Sequence, residues 1–115
     1  MIEPSEYAQL IIEEQQDGIK HDKGKPNINK GFLEYFPRAI EEVAKVSVFG
    51  AEKYDWGNWR LLEDAVSRYQ DANLRHLTSV AKGEEIDSES GFLHLAHAAW
   101  NALAVLELKL KENVD

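Results

Sequence analysis

The sequence predicts an all-α fold, a small bundle of about four helices. Apolar residues recur at three- and four-residue spacing through its longer stretches. Nowhere do β-branched residues alternate with polar ones as a strand requires. Seven glycines and three prolines fall at few places in the 115 residues, leaving long uninterrupted segments between them. No internal repeat or low-complexity tract interrupts the pattern.

The elements follow in order. Pro4 suits the first turn of a helix, where a missing N–H costs nothing. Tyr7, Leu10, Ile11 and Glu14 then give a short amphipathic helix ending near Asp17-Gly18. Residues 19–31, rich in Lys, Asn, Gly and Pro, read as a loop, and Lys20, Lys23, Lys25 and Lys30 against Asp22 make it locally basic. Pro37 opens a second helix to about Tyr54, with Ile40, Val43, Ala44, Ser47, Ala51 and Tyr54 on one face. The segment Asp55-Trp56-Gly57-Asn58-Trp59 breaks the period and reads as an ordered turn. A third helix runs from about Leu62 to Lys82, with Leu62, Val66, Tyr69, Leu77 and Val80 as its apolar face, and stops at Gly83. An N-cap at Asp87 or Ser88 then opens a fourth helix, from about Glu89 to Glu112.

The fourth helix is apolar nearly all round. Phe92, Leu95, Ala96, Ala99, Ala102, Leu103, Leu106 and Leu110 form one face, and Ala98, Ala104, Val105 and Leu108 extend it. A helix of this kind is expected to be buried on every side. Its second face should therefore meet another subunit or pack under the N-terminal segments, and a homo-oligomer, first of all a homodimer, is expected.

At this length one domain is expected: a helix over 1–18, the basic loop over 19–36 and a helical core over 37–112. Thirteen basic against 21 acidic residues give a net charge of −8, which argues against a nucleic-acid polymer as partner. No apolar run reaches the roughly 18 residues of a membrane span, and the acidic N-terminus does not read as a signal peptide. A cytoplasmic location and no membrane partner are expected. The lack of cysteine excludes disulfides, thiolate catalysis and zinc–thiolate sites.

The chemistry-bearing residues gather on the helices. His94, His97 and Asn101 are the polar side chains in the middle of the fourth helix, and at 100° per residue they share an arc of about 60°. Three buried hydrogen-bonding groups each need a partner, as an interior network, an interface or a site. Asn73 and His76 lie on the apolar arc of the third helix, and His76 is either a core hydrogen-bonder or part of the same site. Arg68, Asp71 and Arg75 flank them, as intrahelical ion pairs or as a polyanion-steering face. On the second helix Glu42, Lys45, Phe49 and Glu52 form either a solvated row or part of a divalent-metal site. Glu84, Glu85, Asp87 and Glu89 could add further oxygens. Oxygen and imidazole donors beside a Lys-rich loop suit a Mg²⁺ or Mn²⁺ phosphate site. Gly24-Lys25-Pro26 lacks the spacing of a nucleotide-binding glycine loop, and no zinc-protease or serine-hydrolase motif is present.

Four strings carry a resemblance: DKGKP (22–26), EEVAKVSVFGAEKYDWGNW (41–59), RYQDANLRHL (68–77) and GEEIDSESGFLHLAHAAWNAL (83–103). Together they resemble the small phage and bacterial dATP/dGTP diphosphohydrolases, a branch associated with the MazG-like all-α NTP pyrophosphohydrolases. The resemblance covers about residues 21–106. It implies an oligomeric, Mg²⁺- or Mn²⁺-dependent enzyme that cleaves a purine (d)NTP to its monophosphate and pyrophosphate. The wider MazG-like pattern has E-x-x-E on one helix and E-x-x-D on a later one. Here those places read Glu42-Val-Ala-Lys45 and His94-Leu-Ala-His97, so Glu42 remains and three carboxylates are replaced.

The residues expected to act are Glu42, His76 and His94 in catalysis, and Glu42, Glu89, His94 and His97 around the metal, with His76 as a further ligand. His97 and Asn101 alternatively orient the ligands. Lys25, Lys45, Arg68 and Arg75 are expected on the phosphates. Trp59, Tyr54, Asn58 and Asn101 are expected on the nucleotide or its pocket wall, and Trp56 is available for stacking. The alternative is a phage protein that binds a nucleotide signal without hydrolysing it, and a third possibility is an interaction module built on the fourth helix.

Overall fold

The structure is a computed structural model and describes residues 23–112. The helix expected near residues 4–17 lies outside the described residues. The chain divides into two compact units, 1–35 and 36–115.

In the first unit the basic loop is not wholly irregular. Asn29–Leu33 closes a single π-helical turn, with the Glu34 N–H donating to the Asn29 carbonyl at 2.9 Å. The Asn27 side chain accepts from the Lys30 N–H at 2.9 Å, the local bond that makes Asn a turn residue. Gly24 takes φ +88°, which glycine adopts without strain.

The second unit holds three α-helices among the described residues: α1 (Pro37–Tyr54), α2 (Ala65–Ala81) and α3 (His94–Glu112), with a 3₁₀ turn at Asn58–Leu61. No strand occurs among the described residues; Ile86 and Leu93 form one isolated antiparallel bridge. The all-α class is therefore as expected. Among the described residues no helix is long and apolar enough to cross a membrane.

α1 has its expected bounds, with proline in its first turn. The third predicted helix starts three residues late. Residues 58–61 make the 3₁₀ turn, Leu62 is extended and Asp64 is left-handed at φ +55°, so helical hydrogen bonding begins only at Ala65. Its end is as expected: Gly83 takes φ +91°, and the Glu84 N–H reaches back to the Ser79 carbonyl at 2.9 Å.

The fourth predicted helix starts five residues late, at His94. Asp87 does not cap it. The Asp87 N–H donates to the Phe92 carbonyl and the His94 N–H to the Glu85 carbonyl, both at 2.8 Å, closing a loop over 85–94 that turns at Gly91. The Asp87 carboxylate caps that loop instead, accepting from the Ser90 N–H at 3.0 Å.

α3 packs mainly on α2 and secondarily on α1. Its inward side is not the leucine face. His94, His97, Asn101, Ala98 and Ala104 are buried, whereas Leu95, Leu103, Leu106 and Leu110 are 45–56% exposed. Small alanines let the neighbouring helices approach, and the polar stripe lies between them. Burial all round is thus not found among the described residues.

α1 is rotated from expectation too. Val46 is its buried residue, while Ala44 and Tyr54 are exposed. Phe49 meets Phe92 edge-on at 6.0 Å, and the Trp100 indole N–H donates to the Ser47 hydroxyl at 2.8 Å, so the Val46–Phe49 side faces α3. Trp59, Tyr69 and Trp100 stand edge to face at 5.5–6.1 Å, and the Tyr69 hydroxyl donates to the Trp59 carbonyl at 2.8 Å. This aromatic group ties the 3₁₀ turn to α2 and α3.

Candidate functional site

Helix α2 supplies His76, α3 supplies His94 and His97 one turn apart, and the 85–94 loop supplies Asp87 and Ser90. The Nδ1 atoms of His76 and His94 are 2.8 Å apart. The His76 ring stacks on that of His97, with centroids 4.6 Å apart and planes 11° apart. The Asp87 carboxylate accepts from the Ser90 hydroxyl at 2.7 Å, and the same hydroxyl lies 2.7 Å from His97 Nε2. A hydroxyl has one proton to donate. With that proton on the carboxylate, Ser90 Oγ accepts from His97, which assigns the His97 proton to Nε2.

These contacts set the charge state. His76 is held below its ordinary value of 6.5, first by burial and then by the neighbouring His97 and His94, with Asp87 opposing. His97 is likewise lowered, first by burial, against the pull of Asp87. For Asp87 burial acts upward, but the two Ser90 hydrogen bonds and the adjacent imidazoles outweigh it and hold the carboxyl below its ordinary 3.8. Burial thus favours the neutral form of His76 and His97 beside an anionic Asp87, and neutral imidazole and carboxylate are the forms that ligate a metal.

One donor atom from each of His76, Asp87 and His94 lies within 4.8 Å of the others. Donors about 2 Å from a shared ion are at most about 4 Å apart, so a slight inward shift suits them to one cation. Two imidazoles and a carboxylate favour borderline divalent ions over Mg²⁺.

Of the residues expected at the metal, the structure brings His76, His94 and His97 together with Asp87, one of the four carboxylates expected to add oxygens. Glu42 and Glu89 are not among the three clustered donors; Lys45 Nζ lies 2.6 Å from Glu42 and Lys53 Nζ 2.7 Å from Glu89, and Glu89 acts on the charge of His97. Glu89 also sits in the loop rather than on α3. Arg68, Arg75 and Asn101 line a common pocket. Tyr54 is 62% exposed beneath Lys53, and Asn58 lies in the 3₁₀ turn. Trp59 belongs to the aromatic group, and Lys25 is exposed in the first unit. Ser90 was not singled out by the sequence; its spacing of three from Asp87, the spacing of an Asx cap, was the available signal.

A helical unit with a part-buried histidine–aspartate cluster drawn from two helices and the loop before the second belongs to the helical proteins that build polar sites among their facing side chains. Residues 15–115 match the family described as dATP/dGTP diphosphohydrolase, N-terminal, and the chain belongs to that family. It is similar to a protein of Salmonella phage PMBT28 named dATP/dGTP diphosphohydrolase, with 40% identity over 82 residues, which are 71% of this chain and 26% of the relative. The match thus spans about a quarter of that relative's length. No solved structure matches the chain.

Proposed function

We propose that the chain is a metal-dependent diphosphohydrolase of purine (deoxy)nucleoside triphosphates, with His76, Asp87 and His94 as the cation's ligands. The observation that carries this is the cluster itself: two imidazoles and an anionic carboxylate from three separate segments converge within 4.8 Å. Family membership and the name of the phage relative supply the substrate class. In the reaction a water oxygen bonds to the α-phosphorus, the bond from that phosphorus to the bridging oxygen breaks, and monophosphate and pyrophosphate leave. A bound divalent cation supplies phosphate charge neutralisation and a more acidic water. Asp87 and the two imidazoles hold it, and Ser90 with His97 fixes the Asp87 carboxylate. Mn²⁺ suits these donors better than Mg²⁺. A MazG-like arrangement with imidazoles in place of two carboxylates is part of this reading.

The exposed Leu95, Leu103, Leu106 and Leu110 support a homo-oligomer built on α3, since an apolar row of this size is seldom left to water. The acidic charge supports a nucleotide rather than a nucleic-acid polymer as ligand, in the cytoplasm of the host cell.

The test is pyrophosphate release from a panel of dNTPs and NTPs with Mn²⁺ and with Mg²⁺. Metal-dependent release favouring purines is expected, and its absence from a folded protein would overturn the enzyme reading. The capture of Glu42 by Lys45 at a family carboxylate place favours a second reading, nucleotide binding without turnover. Nucleotide retained on the protein with no pyrophosphate formed would establish that alternative.

A further inference from the structure

Between α2 and α3, beside the histidine cluster, lies a pocket of about 440 Å³, large enough for a nucleoside. Its residues are graded by depth. Asn101 is buried at 6% exposure; Leu62, Tyr69 and Ala72 are half-buried; Arg68, Asp71 and Arg75 are exposed. The larger hollow of about 1040 Å³ around Arg60, Asp64 and Leu108 has no buried polar side chain on its wall.

Asn101 is oriented. Its Nδ2 donates to the His97 carbonyl at 2.8 Å, and because a carbonyl can only accept, the nitrogen must be the atom placed there. The Oδ1 atom makes no hydrogen bond with any described residue. A buried acceptor without a partner is costly, so it calls for a donor from a water or a ligand. An acceptor disfavours phosphate at that end. The arginines are seven residues apart on α2, roughly 10 Å along the helix, and neither forms an ion pair with a described residue. Arg75 adjoins His76, so an anion held at this rim lies next to the cluster. The Asp71 carboxylate between the arginines repels phosphate locally and can accept from a sugar hydroxyl.

A ligand that matches these walls has a hydrogen-bond donor at one end, a flat apolar middle and anionic groups at the other end. We propose that this pocket is the base subsite of the nucleotide and that Asn101 Oδ1 reads an amino group on the base edge, with Arg68 and Arg75 taking the phosphates. The proposal rests on the nucleotide reading above and names how that nucleotide is selected. Adenine and guanine both carry such an amino group; unsubstituted purine carries none.

The test is calorimetric binding of two deoxynucleoside triphosphates bridged by an α,β-methylene group, which cannot be cleaved there: the adenine compound and its unsubstituted-purine counterpart, with Mn²⁺ present. The adenine analogue is expected to bind about tenfold or more tightly. Asn101→Leu should abolish that difference. Equal binding of the two analogues to the wild-type protein, or no binding of either, would overturn the proposal, and so would a preference that survives in Asn101→Leu. The wild-type comparison needs no variant to fold. Because turnover is not read, a protein that binds selectively without hydrolysis would sink the enzyme reading and leave this one standing.

Discussion

The Nδ1 atoms of His76 and His94 stand 2.8 Å apart, one on α2 and the other buried on α3. At that distance one nitrogen donates and the other accepts, so the pair shares a single proton between the two rings. Protonating both would place two N–H groups head to head in a partly desolvated site. A divalent cation can take the place of that proton, which links helix pairing to metal binding.

Removing either ring should therefore remove the cation. His76→Asn and His94→Asn are expected to weaken Mn²⁺ binding by roughly 100-fold or more, beyond the effect of losing an outer hydrogen-bond partner. The electron paramagnetic resonance signal of free Mn²⁺ during titration measures this. Unchanged affinity in both variants would remove the pair from the site. His94→Asn also needs a melting curve, since its side chain is buried and its loss leaves a cavity.

The same groups set a pH dependence for the metal-free protein. His76 and His97 have folded values below the ordinary 6.5, so between the folded and unfolded values the unfolded chain binds more protons. Stability is then complete above 6.5 and is lost as pH falls through the interval beneath it. Asp87, whose value lies below 3.8, loses its contribution only in the more acidic range. A melting temperature that declines from pH 6.5 downward is expected, and one that is flat between pH 7 and 4.5 would contradict the burial of these imidazoles.

The sequence showed the helices better than it showed which way they face. Pro37 and Gly83 marked true helix ends because their backbone constraints act locally. The polar stripe of His94, His97 and Asn101 was also legible, because three residues at helical spacing share an arc wherever the helix packs. Its direction was not. Hydrophobicity pointed Leu95, Leu103, Leu106 and Leu110 inward, yet the alanine and histidine side faces α2 and α1. Asp87 looked like a helix cap because its caps are read from local spacing. The loop that re-aims it depends on the Ile86–Leu93 bridge, and that pairing has no strand pattern to announce it. The Glu42–Lys45 pair follows from helical spacing of three, whereas the lysine that pairs with Glu89 lies 36 residues away and becomes its neighbour only on folding.

Away from the cluster, the Trp100–Ser47 hydrogen bond joins α3 to α1 at 2.8 Å. Ser47→Ala leaves the indole N–H without that acceptor in a half-buried place. A loss of about 1 kcal/mol is expected, lowering the melting temperature by roughly 4 °C, with Mn²⁺ affinity unchanged. A larger fall in metal affinity than in stability would mean that α1 positions the histidines through more than packing.

The last prediction concerns the exposed side of α3. Leu103 and Leu106 are 45% and 54% exposed and adjoin Leu110, also at 54%, in one row. The side chains buried in the described core are small, with Val46 and three alanines as its apolar members. Such a core contributes little burial, and covering the leucine row would add roughly 1.5–3 kcal/mol for each leucine fully removed from water. If a second copy supplies that cover, Leu103→Glu with Leu106→Glu places two charges in each half of the interface, and separating the copies relieves them. Sedimentation velocity should then show an oligomer for the wild-type protein and a monomer for the double variant, with a lower melting temperature that no longer depends on protein concentration. A wild-type protein that is monomeric at micromolar concentration would show that this row is not an interface between copies.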